Sequence, residues 1–465
     1  MGKRLLRMPI LSRLIKNKIR ELATEFFNEA RSWGKARWRE YIEKQFERSK
    51  TKWTLKIFPW LKEASIDDLL GVGENDWVPP PKGYPKILEI ASTGSIRRKI
   101  VPITKTDVIE SAKWLGYLIL KAHTLGEGFV RNFLGIFAER QFTEIACRLI
   151  KTFFSQGSVL IKAREFHKKI DVIHKKIPFD VMFVVTPFLK IFFSSIEKNP
   201  FVDGATISVG GTVATPDLRR GVREFAEKHN INLYFMDIYG ATEVGLMGAE
   251  GSKIGLSNAM AYLPTHVGII RTEDGKAVNI LDAPRGTRGE YLVSKFGDYM
   301  IPNYKIGDII EVVETDTAFG TPAIRVLGRA PVIPIEMRLS KIGEIKANGM
   351  WFLRLPTCCL SGLIYMGLLE EGINSLFVVE DRKTKSVCRI YVTKPLSVDK
   401  FKEAVLKYDP DFSATYLIRL IDEGITEIDI VYDPDVVKEY YRYATEERPQ
   451  SGLPPILLLK KGEKL

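Results

Sequence analysis

Strand and helix patterns alternate along the middle of this chain. The short apolar runs Val181–Val185, Ala205–Val209 and Leu233–Ile238 have lengths typical of buried strands. Asp217–His229 lies between the last two runs, and its apolar residues follow helical spacing. Strands that alternate with helices form mostly parallel sheets with helices on both faces, because each parallel connection crosses over the sheet. The pattern therefore predicts an α/β fold.

The pattern changes twice towards the C-terminus. From Gly268 onwards, short strands alternate with Gly and Pro turns, which predicts a small β-barrel region. From about residue 330, strands and helices alternate again, which predicts a smaller α+β domain. We therefore expect a basic helical segment over residues 1–60, a large domain over 61–329 and the α+β domain over 330–465. The chain has 465 residues, which is long enough to bury a large hydrophobic core.

Most of the positive charge lies in the first 60 residues. The chain has a net charge of +12, and residues 1–60 hold 16 Lys and Arg against 6 Asp and Glu. Apolar residues there recur at helical steps, so two interpretations are open: helices that pack on the main domain, or an arm that contacts a membrane surface or nucleic acid. We favour packing, because Glu residues lie among the cations within i,i+4 reach, and we expect no nucleic-acid partner.

The four cysteines and five histidines lack the spacing of metal sites. Cys358 and Cys359 are adjacent, and a disulfide between them would be strained. We therefore expect reduced, buried cysteines and a cytoplasmic protein. No apolar run approaches the about 20 residues of a transmembrane helix, so we expect no membrane span.

A small hydroxyl-rich loop follows the predicted strand Lys86–Ile90. Ser92–Ser95 contains three hydroxyl groups and a glycine, and the basic triplet Arg97–Lys99 follows. Backbone N–H groups and hydroxyls in such a turn can bind phosphate oxygens. The loop lacks the Gly-Lys-Ser/Thr ending of a Walker loop, and a simple polar turn is the alternative.

A second polar segment follows the predicted strand Leu233–Ile238. It contains Tyr239, Gly240, Thr242 and Glu243. Open parallel sheets bind ligands at this end of their strands. An aromatic ring can stack on a base, a hydroxyl can bind phosphate, and a carboxylate can bind Mg²⁺. A strand-end turn with a surface glutamate is the alternative.

The third segment, Tyr304–Asp308, places an aspartate after a glycine at the start of a β-run. A carboxylate at such a position can accept hydrogen bonds from both hydroxyls of a ribose. A lone Gly-Asp pair would indicate a turn. Its place after the other two segments and before Gly328-Arg329 is what makes it informative.

In this order, the segments resemble the core motifs of the adenylate-forming superfamily. The matching parts are the Ser/Thr/Gly loop, the Gly210-Gly211 pair, Tyr-Gly-x-Thr-Glu at 239–243, Tyr-x-x-Gly-Asp at 304–308 and a Gly-Arg hinge at 328–329. The resemblance covers roughly residues 86–343. Two branches are similar: phenylacetate-CoA ligases over Ile301–Asp308, and plant auxin-responsive acyl-amide synthetases over Phe319–Arg329.

The resemblance implies a ligase with two-step chemistry. A carboxylic acid, aryl or otherwise apolar, attacks the α-phosphate of ATP in the presence of Mg²⁺ and gives an acyl-AMP and pyrophosphate. A thiol or an amine then displaces AMP. We expect CoA as the acceptor. The alternatives are an acyl-amide synthetase that uses an amino acid, and a catalytically degenerate nucleotide-binding relative.

The resemblance also implies a role for each motif residue. Ser92, Thr93, Gly94 and Ser95 would hold the β- and γ-phosphates, and Thr242 would bind the α-phosphate. Gly210 and Gly211 would lie against the adenine and the acyl group, and Tyr239 and Gly240 would contact adenine. Glu243 would coordinate Mg²⁺, Asp308 would bind the ribose hydroxyls, and Arg329 would reach ribose or phosphate. Thr242, Glu243 and Arg329 are the expected catalytic residues.

Three features depart from the family pattern. Ile96 stands in the loop where the family has a second glycine, and Ala330-Pro331 follows the hinge where most relatives have an acidic pair. The catalytic lysine of the C-terminal domain has no clear match, and the candidates are Lys460, Lys461 and Lys464. These departures favour the catalytically degenerate relative. The joint presence of four polar motif residues favours the enzyme: Tyr239, Thr242, Glu243 and Asp308.

Overall fold

The computed structural model describes most of the chain. The described residues are 9–91, 100–137, 142–162, 165–174, 178–186, 188–211, 214, 216–272, 274–329, 335–339, 343–347, 372–381, 386–408, 421–422, 424, 426–446 and 456–459. The α-helices are α1 (Pro9–Ala30), α2 (Lys35–Ser49), α3 (Lys52–Ile57), α4 (Lys105–Leu118), α5 (Phe142–Leu149), α6 (Phe166–His174), α7 (Phe188–Ser195), α8 (Pro216–His229), α9 (Val398–Tyr408) and α10 (Pro434–Glu446). None of these described helices is long and apolar enough to cross a membrane.

The strands occupy both halves of the chain. Those before residue 263 are β1 (Leu88–Ala91), β2 (Ile100–Ile103), β3 (Val130–Phe137), β4 (Ser155–Lys162), β5 (Phe179–Val185), β6 (Phe201–Gly210), β7 (Leu233–Ala241), β8 (Gly245–Gly251) and β9 (Leu256–Tyr262). The later ones are β10 (His266–Arg271), β11 (Ala277–Asn279), β12 (Arg288–Lys295), β13 (Tyr304–Glu314), β14 (Ala323–Arg329), β15 (Ile335–Leu339), β16 (Gly343–Ala347), β17 (Ser375–Asp381), β18 (Ser386–Val392), β19 (Thr426–Tyr432) and β20 (Ile456–Leu459).

One sheet of 12 strands organises the larger part of the molecule, in the order β11-β10-β12-β13-β14-β9-β8-β7-β6-β5-β3-β4. The strands from β4 to β7 pair in parallel, and every pairing from β7 to β11 is antiparallel. The predicted α/β class is confirmed. The strands expected to form a small β-barrel region belong to the antiparallel half of this sheet, because short turns join neighbouring strands antiparallel.

The basic N-terminal segment is part of the main hydrophobic core. Helix α1 buries Phe26 and Phe27 in the cluster that also contains α4. The two helices approach closely, since a Cβ atom on Gly116 of α4 would lie only 2.5 Å from the Cβ of Ala23. Only glycine allows this approach without displacement of α1. The segment therefore packs on the domain, as its interleaved charges indicated.

Helix α2 is anchored by a buried tryptophan. Trp38 is 1% exposed, and its indole Nε1 donates a hydrogen bond of 2.8 Å to the carbonyl oxygen of Phe319, between β13 and β14. Its ring also contacts Phe26 of α1 and Trp114 of α4. One side chain thus joins two N-terminal helices to the sheet domain.

A second sheet lies in the C-terminal part, with the order β19-β18-β17-β20. Helix α10 contacts both central strands, and Val436 and Val437 of this helix are buried. Cys388 of β18 and Cys147 of α5 are buried free thiols, as expected. The adjacent pair Cys358 and Cys359 lies outside the described residues.

Replacement of Trp38 tests whether the N-terminal helices belong to the folding unit. We expect Trp38→Ala to lower the free energy of unfolding by about 3–5 kcal/mol, because it creates a large cavity and leaves the Phe319 carbonyl without its donor. The measurement is urea unfolding followed by fluorescence. Trp60→Ala is the control, because Trp60 is 41% exposed. Equal, small losses in both variants would contradict the integrated core.

Candidate active site

Two distant motif residues are in direct contact. The phenol Oη of Tyr239 in β7 donates a hydrogen bond of 2.6 Å to Oδ2 of Asp308 in β13. Asp308 is only 6% exposed. A buried carboxylate needs such donors, because burial without a partner is costly. The motif segments around residues 239 and 308 therefore lie side by side in the structure.

A curled sheet makes this contact possible. Four neighbour steps separate β13 from β7 in the strand order. With neighbouring strands about 4.8 Å apart, a flat sheet would place them about 19 Å from each other, beyond the reach of the two side chains. The antiparallel half therefore curves back towards the carboxyl end of β7. Pairing between β9 and β14 involves only two residue pairs, Ala323 with Ala261 and Ile324 with Met260.

Strand β13, which contains Asp308, also holds the turn after β7. Tyr304 Oη donates a hydrogen bond of 3.0 Å to Oε1 of Glu243. Tyr304 is 4% exposed, and its ring packs edge-to-face against Trp77 with centroids 6.0 Å apart. The Tyr-x-x-Gly-Asp motif thus supplies a partner to both halves of the Tyr-Gly-x-Thr-Glu motif. Sequence reasoning did not assign Tyr304 to the site, although Tyr304 is the first residue of the Tyr-x-x-Gly-Asp motif.

Gly240 and Thr242 shape this turn. A Cβ atom on Gly240 would lie 2.5 Å from the carbonyl oxygen of Gly245, so only glycine fits where β7 crosses to β8. Val244 N donates to the carbonyl oxygen of Ala241 at 3.1 Å and closes the turn. Thr242 and Glu243 are half-buried within it. The backbone thereby presents one hydroxyl and one carboxylate together.

Gly210 and Gly211 lie one strand away from Tyr239. Gly210 ends β6 opposite Ile238 of β7, and a Cβ atom there would lie 3.1 Å from the Ile238 carbonyl oxygen. Gly211 has φ +104°, a left-handed conformation that favours glycine. The structure therefore brings the Gly-Gly pair next to the Tyr239 motif.

A buried carboxylate, that of Asp237, stabilises the chain next to the Gly-Gly pair. Asp237 is 1% exposed, and its Oδ2 accepts a hydrogen bond of 3.2 Å from Ala214 N, which ties the chain after β6 to β7. Burial and the nearby Glu250 raise the pKa of Asp237 to about 7. Glu250 is itself paired with Arg219 through a bidentate contact, in which Nη2 and Oε2 are 2.6 Å apart.

Several residues that the sequence predicted for the site lie wholly or partly outside the described residues. Ser92, Thr93, Gly94 and Ser95, and Lys460, Lys461 and Lys464, lie outside the described residues. Arg329 ends β14, and its backbone pairs with Asp308, but its side chain also lies outside the described part. The ends of the phosphate-type loop are fixed, because Ala91 of β1 pairs with Ile100 of β2.

Two cavities meet beside the turn. The smaller has about 430 Å³, including the open solvent at its mouth, and is lined by Glu243, Tyr304 and, from β2, Val101 and Pro102. The larger has about 880 Å³, including its open mouth, and lies between α2, α4 and residues 295–298. Both are lined by Asp107, Val244 and Lys295. Strand β2, which follows the Ser92–Ser95 loop in the chain, thus contributes to the wall of the cavity that contains Glu243.

An ion pair forms part of the wall common to the two cavities. Lys295 Nζ lies 2.7 Å from Oδ1 of Asp107. Asp107 also caps α4, since its Oδ2 accepts from the backbone N of Thr104 at 2.8 Å and from its hydroxyl at 2.9 Å. Burial alone would raise the pKa of Asp107, but the Lys295 ammonium and these hydrogen bonds hold it below its ordinary value. Sequence reasoning missed this pair, which no motif contains.

The site offers few protein ligands for a metal. Among the described residues, no group of three or more His, Cys, Asp and Glu side chains could hold a metal ion. Glu243 is the carboxylate in the turn, and Tyr304 orients it. One carboxylate suits Mg²⁺ bound mainly by phosphates and water, and it does not suit a protein-only metal cage.

Comparisons with known proteins identify the architecture. The chain aligns with the acyl acid amido synthetase AtGH3.15, solved in complex with 2,4-DB, over 95% of this chain and 94% of that chain, with a TM-score of 0.52 and 11% identity. The chain shares the fold of this acyl acid amido synthetase. The resemblance that the sequence predicted is confirmed at the level of the fold.

Other solved structures are also similar. The O-succinylbenzoate CoA synthetase MenE from Bacillus subtilis, in complex with ATP and magnesium, aligns over 81% of this chain and 71% of its own, with a TM-score of 0.46 and 14% identity. The amide bond synthetase McbA from Marinactinospora thermotolerans aligns over 72% and 64%, with a TM-score of 0.42 and 14% identity. No family model and no curated protein sequence matches the chain.

Stability should depend on pH through Asp237. Its pKa of about 7 in the folded protein exceeds the about 3.9 of an unfolded aspartate. The folded state therefore binds more protons between these values, and stability should fall as the pH rises from about 4 to 7. We expect Asp237→Asn to remove roughly 1–3 kcal/mol of that fall. Urea unfolding at pH 5 and pH 8 measures the effect, with the exposed Asp76→Asn as control. Parallel pH profiles in wild type and Asp237→Asn would contradict the assignment.

Nucleotide affinity should depend on Asp308. We expect Asp308→Ala to weaken ATP binding by about tenfold or more, because a charge-assisted hydrogen bond to a ribose hydroxyl is lost. The melting temperature should change by only a few degrees. Calorimetric titration with ATP and thermal unfolding are the two measurements, with Asp316→Ala, an exposed position further along the same hairpin, as control. A large stability loss with unchanged ATP affinity would make Asp308 a structural residue.

Proposed function

We propose that this chain is an ATP-dependent, AMP-forming ligase that adenylates a carboxylic acid. The observation that carries the proposal is the pairing of Tyr239 with Asp308 and of Tyr304 with Glu243. Separate segments of the chain thereby bring together a ring suited to base stacking, a ribose-type carboxylate and a metal-type carboxylate, and Glu243 and Tyr304 line the smaller cavity. These groups suit the base, the ribose and the Mg²⁺ of a bound nucleoside triphosphate.

The nucleotide would lie across the end of β6 and β7. Tyr239 would offer its ring to adenine, and Gly210 and Gly211 would let the base and the acyl group approach the backbone. Asp308 would accept from the ribose hydroxyls, and Arg329, whose backbone pairs with Asp308, would reach ribose or phosphate. Asp308 already accepts from the Tyr239 hydroxyl through Oδ2. Since each carboxylate oxygen can accept more than one hydrogen bond, ribose can be bound without loss of this contact.

The phosphates would extend towards Glu243 and the loop after β1. Thr242 would donate to the α-phosphate, and Ser92, Thr93, Gly94 and Ser95 would hold the β- and γ-phosphates. Glu243 would be one ligand of Mg²⁺, which neutralises phosphate charge when bound. Adenylyl transfer needs little covalent assistance and much electrostatic positioning, so fixed carboxylates and donors are the expected machinery.

The reaction that follows adenylation transfers the acyl group. The sequence favours CoA as acceptor, through its similarity to phenylacetate-CoA ligases. An amine is the second candidate, supported by the similarity of Phe319–Arg329 to acyl-amide synthetases and by the description of AtGH3.15 as an acyl acid amido synthetase. In either case the nucleophile attacks the acyl carbonyl carbon, and AMP leaves with the electrons of the C–O bond.

ATP–pyrophosphate exchange tests the adenylation step, with pooled aryl, indolyl and aliphatic acids. Exchange that requires an acid supports the proposal, and subdivision of the pool identifies the substrate. AMP release is then measured with CoA and with pooled amino acids, which separates the two acceptors. ATP binding without exchange from any pool would contradict the proposal and favour the catalytically degenerate relative.

The dependence of exchange on magnesium tests Glu243. We expect Glu243→Gln to raise the Mg²⁺ concentration for half-maximal exchange by about tenfold, because a neutral amide is a weaker ligand than a carboxylate. Glu227→Gln, at an exposed position of α8, is the matched control. An unchanged magnesium titration in Glu243→Gln would remove this residue from the metal site.

A further inference from the structure

A lysine ammonium lies in the wall between the two cavities. Lys295 ends β12, and its side chain is 22% exposed and lines both cavities. Asp107, in the first turn of α4, holds this ammonium, since its Oδ1 lies 2.7 Å from Nζ of Lys295. Asp107 is fixed in turn, because its Oδ2 accepts from the backbone N and from the hydroxyl of Thr104. The ammonium therefore has a defined position before any ligand binds.

The smaller cavity lies where the proposed function places the phosphates that leave. Glu243, the proposed magnesium ligand, lines this cavity. Val101 and Pro102 of β2 line it as well, and β2 follows the Ser92–Ser95 loop, which would hold the β- and γ-phosphates. Lys295 belongs to the same lining. The leaving end of a bound triphosphate would thus share a cavity with the Lys295 ammonium.

The charges of the smaller cavity make this ammonium important. Its described lining contains one cation, Lys295, and two carboxylates, Asp107 and Glu243. Both carboxylates have donors of their own, because Thr104 donates to Asp107 and Tyr304 donates to Glu243 at 3.0 Å. Without Lys295, the described lining would present only negative charge to a polyphosphate, and like charges at short range repel.

The Lys295 ammonium retains donors for a ligand. It has three N–H groups, and the contact with Asp107 Oδ1 accounts for one of them. The other two can donate to phosphate oxygens. Charge-assisted hydrogen bonds of this kind are stronger than neutral ones, and a lysine ammonium is a common phosphate ligand in proteins.

We infer that Lys295 binds the pyrophosphate end of ATP in the smaller cavity and is a catalytic residue that stabilises pyrophosphate as it leaves. The inference rests on the proposed function and adds a residue that none of the sequence motifs contains. It assigns no role to the larger cavity in binding the acid.

The chemistry of adenylation explains why a cation is needed here. A carboxylate oxygen of the acid forms a bond to the α-phosphorus, and the bond between that phosphorus and the α–β bridging oxygen breaks. The electron pair stays on the bridging oxygen, which becomes a terminal oxygen of pyrophosphate with added negative charge. A fixed ammonium stabilises this charge as it develops, and Lys295 keeps its proton throughout.

Binding measurements with Lys295 variants test the site. We expect Lys295→Gln to weaken the binding of ATP and of inorganic pyrophosphate, each with Mg²⁺, by about tenfold, and to change AMP binding by less than about twofold, because AMP lacks the leaving phosphates. Lys295→Arg should recover part of the loss, since it keeps the charge. Calorimetric titration measures all three ligands. Equal losses for ATP and AMP, or no loss for any ligand, would overturn the inference.

The matched control is Lys276→Gln, since Lys276 also pairs with an aspartate but lines neither cavity. Exchange kinetics add a second readout for the same variants. We expect Lys295→Gln to raise the KM for pyrophosphate by about tenfold and to leave the KM for the acid within about twofold of its original value. A rise in the KM for the acid alone would contradict a pyrophosphate site.

A third experiment uses the wild-type protein, so it does not depend on the folding of a variant. Lysines are acetylated with a limiting amount of acetic anhydride, and the labelled peptides are quantified by mass spectrometry. We expect inorganic pyrophosphate with Mg²⁺ to remove most of the labelling of Lys295, whereas AMP leaves it unchanged. Labelling of the exposed Lys276 is the internal control. Equal labelling of Lys295 with and without pyrophosphate would overturn the site.

Failure of the proposed function has a different signature. In that case no acid supports exchange in the wild-type protein, whereas pyrophosphate titration and the protection of Lys295 still measure the site directly. Exchange in the wild type, together with pyrophosphate binding that Lys295→Gln leaves unchanged, would instead overturn the role of Lys295 and keep the proposed function.

Discussion

Two tyrosine–carboxylate hydrogen bonds join the turn after β7 to the start of β13, and the candidate site depends on them. Tyr239 donates to Asp308, and Tyr304 donates to Glu243. Each carboxylate needs a donor where water is partly excluded, and each phenol supplies one without adding charge. Together the bonds hold two carboxylates at fixed positions, and Glu243 lines the smaller cavity. They also couple the parallel half of the sheet to its antiparallel half.

The curvature of the sheet brings these residues together. The strand order puts β13 four neighbours away from β7, so only a strongly curled sheet lets them meet. Small residues accompany the close approach at β7 and β8, where a side chain on Gly240 would collide with the Gly245 backbone. The N-terminal helices complete the larger cavity, because α2 supplies Tyr41 and Gln45 to its wall. The basic N-terminal segment, which was expected to pack on the domain, thus contributes to a wall of this cavity.

The sequence predicted those features that local pattern encodes. Alternating apolar and helical runs identified the strands from β5 to β7, and the motifs identified Tyr239 and Asp308, which the structure brings into contact. The pairing that joins β10–β14 to the rest of the sheet was not predictable, since β9 and β14 lie far apart in sequence and pair through only two residue pairs. The Lys295–Asp107 pair was missed for a similar reason. Each residue is unremarkable in its own segment, and only the tertiary fold places an ammonium beside a helix-capping carboxylate.

The central claim is that a carboxylate of the substrate attacks the α-phosphate of ATP. Transfer of ¹⁸O tests this most directly. An acid labelled in both carboxylate oxygens is incubated with the protein, ATP, Mg²⁺ and acceptor, and the products are analysed by mass spectrometry. The account predicts that one ¹⁸O atom appears in AMP, because the bridging oxygen of the acyl-AMP leaves with the nucleotide. Label in inorganic phosphate, with ADP as the nucleotide product, would contradict it.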